Sequence, residues 1–273
     1  MAHRFLRSPV WVLLVFLSLP GWTNAQILNA ELFQANDLQH KDQPVVGSVQ
    51  LNTSLVKQQS AVYQLQGQSD VSILTGSQWR TILAGQFTYN GSSGEELLNS
   101  GYVHVRLRQG PEHPQTPEAF VQYQWDGVRG LQNRFLSGVN QRFRLLRDSL
   151  NQLTTGAGLM YEHEVWTLEG VPESRQEALD DPTQVRDLIK LNVYLRYRGQ
   201  WLPKLRFSAI GYFQARPDSW IRYPRVAYNQ RLRLGLGNGF SYLLLFDAIY
   251  DLQPIVPIDR FYYSLQNGLR WGF

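Results

Sequence analysis

Hydrophobic and polar residues alternate along the last thirteen positions of the chain. In residues 261–273 the odd positions are apolar, with Asn267 as the single polar exception, and the even positions are mostly polar or small. The apolar row contains Phe261, Tyr263, Leu265, Leu269, Trp271 and Phe273. A period of two is the pattern of a β-strand whose two faces meet different surroundings. The segment is therefore predicted to be a strand with an aromatic-rich face.

Eleven further segments upstream alternate in the same way, separated by turn residues. The predicted strands are residues 45–56, 60–75, 78–90, 99–109, 118–126, 134–146, 151–164, 187–198, 205–216, 225–236 and 240–251, followed by 261–273. The links after the second, sixth and tenth strands are short, and those after the third, seventh and ninth are longer. Such an alternation is typical of an antiparallel up-and-down transmembrane β-barrel with turns on one side and loops on the other. We therefore predict an all-β barrel of twelve strands with no plug domain.

Charged residues fill the rows opposite the apolar ones. If the apolar rows face lipid, these side chains project into the barrel. The side chains predicted to face the interior are Arg106, Arg108, Arg142, Arg144, Glu162, Glu164, Lys190, Arg196, Arg206, Arg231, Arg233, Asp247 and Asp251. Because an isolated buried charge costs several kcal/mol, they are expected to pair into a hydrated ladder. The ladder either fills and rigidifies the barrel or lines a narrow path for anions or polar solutes. A soluble β-sandwich or lipocalin-like barrel is the alternative for the alternation alone, and it is disfavoured because long cationic rows do not point into a packed core.

Aromatic residues recur near the ends of the predicted strands, where a membrane barrel has its interfacial girdles. The predicted girdle contains Tyr63, Trp79, Tyr89, Trp125, Tyr161, Trp166, Tyr197, Trp201, Tyr250, Tyr263, Trp271 and Phe273.

The first 25 residues have the features of a secretory signal peptide. Arg4 and Arg7 precede an apolar run at 10–19, and Thr23 and Ala25 are small residues before Gln26. The alternative, an uncleaved anchor, needs about 20 apolar residues, twice the length of this run. We predict cleavage after Ala25, a short periplasmic lead-in over 26–44 and the barrel over 45–273.

Composition excludes several classes of function. The chain has no cysteine, hence no disulfide, no cysteine metal site and no lipid anchor on cysteine. After the signal peptide, 24 Lys and Arg residues stand against 22 Asp and Glu residues, with no basic run suited to nucleic acid. Arginine outnumbers lysine 22 to 4, which suits ion pairs in a confined space. No cofactor, metal or nucleic-acid partner is expected.

One segment has residues that are common in active sites, at 161–165 in the seventh strand. Its alternation places His163 on the lipid side and both Glu162 and Glu164 on the interior side, which separates them. His104 and a distant serine could meet in the folded barrel, but the sequence does not show such a contact. No catalytic residue is therefore predicted, and a lipid-acting outer-membrane enzyme is kept as the alternative.

The sixth and seventh segments form a hairpin with a Gly-x-Gly strand that ends in acidic residues. This hairpin resembles the salt-induced outer-membrane protein family, a domain family of unknown function. Gly156 and Gly158 correspond to its Gly-x-Gly, and Glu162 or Glu164 to its acidic residue. The resemblance implies a Gram-negative outer-membrane barrel with no established ligand and no catalytic residues to carry over. A relation to envelope or salt stress is included in the predicted function.

The final strand also resembles the assembly signal of bacterial outer-membrane barrels, in Tyr263, Leu265, Leu269, Trp271 and Phe273. The expected partners are therefore outer-membrane lipid, lipopolysaccharide and the barrel assembly machinery, and the expected state is a monomer. A structural or solute-passing role in the outer membrane is predicted.

Overall fold

The computed structural model describes residues 44–57, 61–75, 78–92, 95–109, 113–169, 171–176, 181–219, 222–238 and 240–271. The predicted signal peptide, almost all of the lead-in and Phe273 lie outside these ranges. The strands are β1 (Val45–Lys57), β2 (Ala61–Thr75), β3 (Trp79–Ser92), β4 (Glu95–Gln109), β5 (Gln115–Asp126), β6 (Leu131–Arg147), β7 (Asn151–Thr167), β8 (Thr183–Leu202), β9 (Leu205–Ala215), β10 (Arg225–Gly237), β11 (Phe240–Asp251) and β12 (Phe261–Trp271).

All twelve strands belong to one antiparallel sheet in which each strand pairs with its neighbours in sequence. A short helix, α1 (Glu173–Gln176), and one turn of 3-10 helix at Gly127–Arg129 accompany them. Within the described ranges, no helix has the length and apolar character needed to cross a bilayer. The predicted all-β, up-and-down fold with twelve strands is confirmed.

Burial along the strands is inverted relative to a soluble protein. In β5, Val121 and Tyr123 are 42% and 47% exposed, whereas their neighbours Gln122 and Gln124 are 7% and 3% exposed. The same reversal holds in β4, where His104 and Arg106 are buried and Val103 is exposed. Water-soluble domains bury apolar residues and leave charged ones outside. The inner face of this sheet is therefore the polar one.

The sheet curls around this polar face, because side chains from strands far apart in the sheet meet inside it. The hydroxyl of Tyr194 on β8 donates to Glu118 Oε1 on β5 at 2.9 Å. Arg225 on β10 donates to Glu162 on β7 at 2.7 Å. Among the described residues the hydrogen-bonded ladder runs from β1 to β12, with these two strands as its edges.

The connections alternate between the two ends of the barrel. Links after the even-numbered strands are short, such as 148–150 and 203–204, and lie at what we call the turn end. Links after β7, β9 and β11 span 168–182, 216–224 and 252–260 and lie at the opposite end, called the loop end. This arrangement agrees with the predicted long links after β7 and β9, but the long link predicted after β3 was wrong, because β4 begins at Glu95 and leaves only residues 93–94 between the strands.

Several strands extend beyond their predicted boundaries, and two segments predicted to lie outside the strands contribute to them. The segment 166–186 was expected to contain no strand, but β7 continues to Thr167 and β8 begins at Thr183, opposite it. Pro117 was expected to interrupt the ladder, yet it lies within β5 and pairs with Gln141 of β6. Since β4 pairs with β5 only from Glu118 onward, Pro117 has a neighbouring strand on one side only, where the missing N–H is tolerated.

Candidate functional site in the barrel interior

Most of the charged residues predicted for the interior are buried there. The buried members are Arg106, Arg108, Arg142, Glu162, Glu164, Lys190 and Arg196, and the half-buried members are Arg144, Arg231, Arg233 and Asp247. Arg206 differs, because it is exposed. It shares an inward row with the buried Ile210 and Tyr212, but it lies next to the β8–β9 turn, where the barrel opens to solvent.

Six of the buried charges form one ion-pair network near the loop end. Arg134 Nε donates to Glu162 Oε1 at 2.8 Å and lies 3.2 Å from Glu164 Oε1. Arg225 Nη1 lies 2.7 Å from Glu162 and 3.0 Å from Glu164, and its Nη2 lies 2.7 Å from Asp251 Oδ2. Lys190 pairs with Glu162 Oε2. We call Arg134, Glu162, Glu164, Lys190, Arg225 and Asp251 the loop-end network. It ties β6, β7, β8, β10 and β11 together across the interior.

Two of its members, Arg134 and Arg225, were not predicted, although the sequence contains the signal for both. Arg134 shares its parity with Arg142 and Arg144, and Arg225 shares its parity with Arg231 and Arg233. Each stands at or near the first residue of its strand, where no apolar row yet indicates which side is inward. Because every second residue of a strand lies on the same face, continuing the inward row to the start of each strand identifies both residues.

The turn half of the barrel has a different charge balance. Glu118 lies 3.6 Å from Arg106 and accepts hydrogen bonds from Asn140 at 3.1 Å and from the Tyr194 hydroxyl. Among the described residues, eight Lys or Arg side chains are buried against five Asp or Glu side chains. The buried cations are Arg80, Arg106, Arg108, Arg134, Arg142, Lys190, Arg196 and Arg225, and the buried acids are Glu118, Asp126, Glu162, Glu164 and Asp251. Because four of these acids lie towards the loop end, the positive excess is concentrated in the turn half.

An apolar cluster covers the loop end above this network. It is formed by Leu131, Trp166, Val171, Val256 and Ile258, which are all buried. The last two belong to residues 252–260, which we call the lid. The guanidinium of Arg129 lies over the Trp166 ring at 5.5 Å and over the Tyr262 ring at 4.3 Å. The lid therefore packs an apolar surface against the inner wall at this end of the barrel.

Trp166 was predicted to belong to the interfacial girdle, and this was wrong. It has the same parity as Glu162 and Glu164, so it faces inward at the end of β7 and packs beneath the lid. The aromatic character suggested a membrane interface, whereas the register decides the direction of the side chain.

Polar contacts connect the lid to the network. Arg186 Nη2 lies 3.3 Å from Glu164 Oε2, and its Nη1 donates to the carbonyl of Gln253 in the lid at 3.2 Å. Arg175 in α1 contacts Asp259 at 3.3 Å. Arg186 therefore bridges a buried carboxylate and the lid backbone.

The histidine segment is divided between the two faces, as predicted. His163 lies on the outer face, and its Nδ1 is 2.8 Å from Asp187 Oδ1 on β8. The hydroxyl of Tyr161 donates to the same oxygen. Glu162 and Glu164 lie inside. His104 is buried in the interior and contacts Gln122 Oε1 at 3.1 Å. In the described part of the chain, no group of three or more His, Cys, Asp or Glu residues is arranged to hold a metal ion.

The predicted assembly signal is described only in part. Tyr263 and Leu265 are exposed on the outer face of β12, as the odd-numbered row requires. Leu269 and Trp271 belong to the backbone of that strand, and Phe273 lies outside the described residues.

Together these features define a β-barrel with an apolar exterior and a charged interior that is covered at one end. No family model matches the chain, and no curated protein matches it. Among solved structures, the chain is similar to a rhombohedral crystal structure of the NanC porin. The identity is 11%, the match covers 84% of this chain and 99% of that one, and the TM-score is 0.40. The resemblance of the Gly156–Gly158 hairpin to the salt-induced family stays a prediction.

Proposed function

We propose that this protein is a bacterial outer-membrane barrel that passes small anionic solutes. The observation that carries the proposal is the excess of buried cations inside a barrel whose outer face is apolar. The strands are 11 to 20 residues long, and about 9–11 residues suffice for a tilted strand to cross a bilayer. Lipid around the exposed aliphatic and aromatic rows would remove them from water, which supports the outer-membrane location.

The interior favours anions for an electrostatic reason. Arginine keeps its charge at all physiological pH values, so the positive excess of the turn half is permanent. Rings of Arg and Lys side chains attract anions and repel cations in a confined path. The loop-end network contributes less to selectivity, because its cations are compensated by Glu162, Glu164 and Asp251.

The lid sets the resting state. Val256 and Ile258 pack with Leu131 and Trp166 at the loop end. In the proposed mechanism the lid obstructs the path there, and passage requires that it move away from Trp166. The resting barrel is closed to solutes, and conduction occurs in openings of the lid.

Planar-bilayer recordings under a KCl gradient test this function. For the wild-type protein we expect brief openings and a reversal potential close to the equilibrium potential of chloride. In Arg196→Gln the reversal potential should shift away from that value, because the preference for chloride is weaker. Arg147→Gln, at the exposed β6–β7 turn, is the control and should keep the wild-type reversal potential. A protein that conducts nothing above leak, or that selects potassium, contradicts the proposal.

A lipid-acting enzyme is the second candidate, and one observation favours it. His163 and Asp187 form a hydrogen-bonded pair on the outer face near the loop end, where lipid headgroups would lie. Such a pair is the base and orienting acid of many hydrolases. Release of fatty acid from phospholipid or lipid A by the purified protein, lost in His163→Asn, would support this role. Equal background release by both proteins would exclude it.

A further inference from the structure

Three arginines lie close together on the inner wall at the turn end of the barrel. Arg206 of β9 is directly opposite Arg233 of β10. Ser208, the next inward residue of β9, is directly opposite Arg198 of β8. All three arginines belong to the inward rows of their strands. We call Arg198, Arg206 and Arg233 the arginine trio.

The spacing within the trio follows from this register. Side chains directly opposite one another on the same face have Cβ atoms about 5 Å apart, and diagonal neighbours are about 7–8 Å apart. Arg206 and Arg233 are opposite neighbours, and Arg198 is diagonal to Arg206. Like charges in opposite positions destabilise a sheet, so the trio is an unfavourable arrangement unless negative charge lies near it.

The inner wall beside the trio carries no acidic residue in the described strands. None belongs to an inward row of β8, β9 or β10 over their described ranges. The inward residues opposite the trio on the flanking strands are also uncharged, namely Gln152 on β7 and Leu243 on β11. The first inward acid of β11, Asp247, lies deeper, where Asn229 donates to it and Arg231 is nearby. The trio therefore gives the turn-end mouth a local positive charge.

Solution reaches the trio from the turn end. Arg206 is exposed, and Arg198 and Arg233 are half-buried. Arg233 is also oriented by the wall, because its Nε donates to the buried hydroxyl of Ser241 at 3.2 Å. An anion at the mouth can therefore contact Arg206 without displacing protein atoms.

The chemistry of the trio favours a phosphate group over a simpler anion. A guanidinium presents its N–H donors in a planar fork that matches two oxygens of a phosphate. A phosphate monoester carries a charge of about −1.5 to −2 near neutral pH and three strong acceptor oxygens, so one such group can bridge two facing arginines. Chloride offers neither the second charge nor the separate acceptors.

A phospholipid headgroup also contains phosphate, but two features disfavour it here. Its phosphate is a diester with a single negative charge, which compensates fewer arginines. The trio lies in the inward rows, whereas lipid meets the outer face of a barrel. A small solute in the lumen is therefore the better complement.

We propose that the arginine trio binds the dianionic phosphate group of a small solute at the turn-end mouth. The inference rests on the proposed function, whose anionic solute it specifies as phosphate or a phosphate monoester. The bound group relieves the repulsion between Arg206 and Arg233 and raises the concentration of the solute at the mouth.

Isothermal titration calorimetry on the purified protein in detergent tests the site. The ligands are inorganic phosphate at mildly alkaline pH, where it is mainly a dianion, and dimethyl phosphate, a monoanionic diester with headgroup chemistry. We expect phosphate to bind more tightly than dimethyl phosphate. Arg206→Gln should weaken phosphate binding about tenfold, because charge-assisted hydrogen bonds are lost. Arg206→Lys should lie between the two, since it keeps the charge without the planar fork.

Arg147→Gln is the matched control, because Arg147 is exposed at the same end of the barrel and lies outside the trio. It should bind phosphate as the wild type does. Without phosphate, Arg206→Gln should lose its heat-modifiable band at the same temperature as the wild type or a higher one, because one of two facing charges is removed. Phosphate should raise that temperature in the wild type more than in Arg206→Gln.

Equal phosphate affinity in the wild type and Arg206→Gln overturns the site. Dimethyl phosphate that binds as tightly as phosphate overturns the solute class and indicates a headgroup instead. The binding measurement does not depend on conduction. Phosphate binding by a barrel that conducts nothing supports the site and contradicts the proposed function, whereas a chloride-selective barrel that binds no phosphate contradicts the site alone.

Discussion

Glu162 is the residue on which the loop-end network depends most. Its carboxylate, 1% exposed, contacts Arg134, Lys190 and Arg225 at the same time. Removing one partner of a buried ion pair leaves uncompensated charge and is more damaging than losing an exposed pair. Three cations on three different strands would repel one another without it.

We therefore expect Glu162→Gln to lower the free energy of unfolding by about 3 kcal/mol. Urea titration of the protein refolded in lipid vesicles measures this value. Glu169→Gln, an exposed residue beyond β7, is the control and should match the wild type. Equal midpoints for both variants would show that the network adds no stability.

Gly158 is constrained by the backbone around it. A Cβ at this position would lie 1.9 Å from the carbonyl oxygen of Val139 and 2.6 Å from the Cα of Asn140. Both are main-chain atoms of the neighbouring strand, so neither can rotate away.

Gly158→Ala should therefore reduce the fraction of protein that assembles, seen as loss of the heat-modifiable band. Gly211→Ala is the matched strand control, because its nearest atom would be 4.0 Å away. Normal assembly of Gly158→Ala would mean that β6 and β7 can separate locally at no cost.

At the scale of side chains, the sequence predicted which face of the sheet a residue lies on better than it predicted which residues pair with one another. Parity correctly placed Lys190 and Arg196 inside and His163 outside. It could not show that Glu162 joins Arg225, because the strands between them must first curl before the two side chains meet. Trp166 was misplaced because its residue type was weighted above its register.

At the scale of elements, all twelve strands were predicted because lipid outside and charge inside impose alternation on each one. The predicted boundaries of β7 and β8 at the loop end were wrong, because both strands extend further than the alternation indicated. The first residues of β8 from Thr183 to Arg186 are mainly polar. They pair with the end of β7, and only the ladder, which a sequence does not display, identifies them as strand.

The lid is the element whose movement the proposed function requires. Val256 belongs to the lid and is buried in one cluster with Trp166 and Leu131. Burial of one such side chain stabilises the closed state by about 2 kcal/mol, roughly thirtyfold in the ratio of open to closed states.

Val256→Asn should therefore make openings more frequent in bilayer recordings without changing ion selectivity. Leu150→Asn, exposed at the turn end, is the control and should behave as the wild type does. If Val256→Asn opens no more often than Leu150→Asn, the lid does not gate the barrel.

For the whole molecule, the last strand is predicted to deliver the chain to the assembly machinery. Tyr263 and Leu265 lie on the outer face of β12, where such a factor would meet them.

Deleting Phe273 should reduce the amount of protein recovered in the outer-membrane fraction. Phe273→Tyr should be recovered in the wild-type amount, because it keeps the aromatic ring. Immunoblots of separated membranes measure both. Normal recovery of the deletion variant would show that the terminal row is not an assembly signal.

The order of the sheet also bears on how such a protein can change over evolutionary time. Every strand from β2 to β11 is hydrogen-bonded to the strand before it and the strand after it in sequence. Duplication of a hairpin within the gene would therefore insert two strands without changing the order of the others. The barrel would widen by two strands at each duplication, and the ion pairs and hydrogen bonds that cross its interior would be pulled apart. A single duplication could therefore convert a narrow barrel with a cross-linked interior into a wider and more open one.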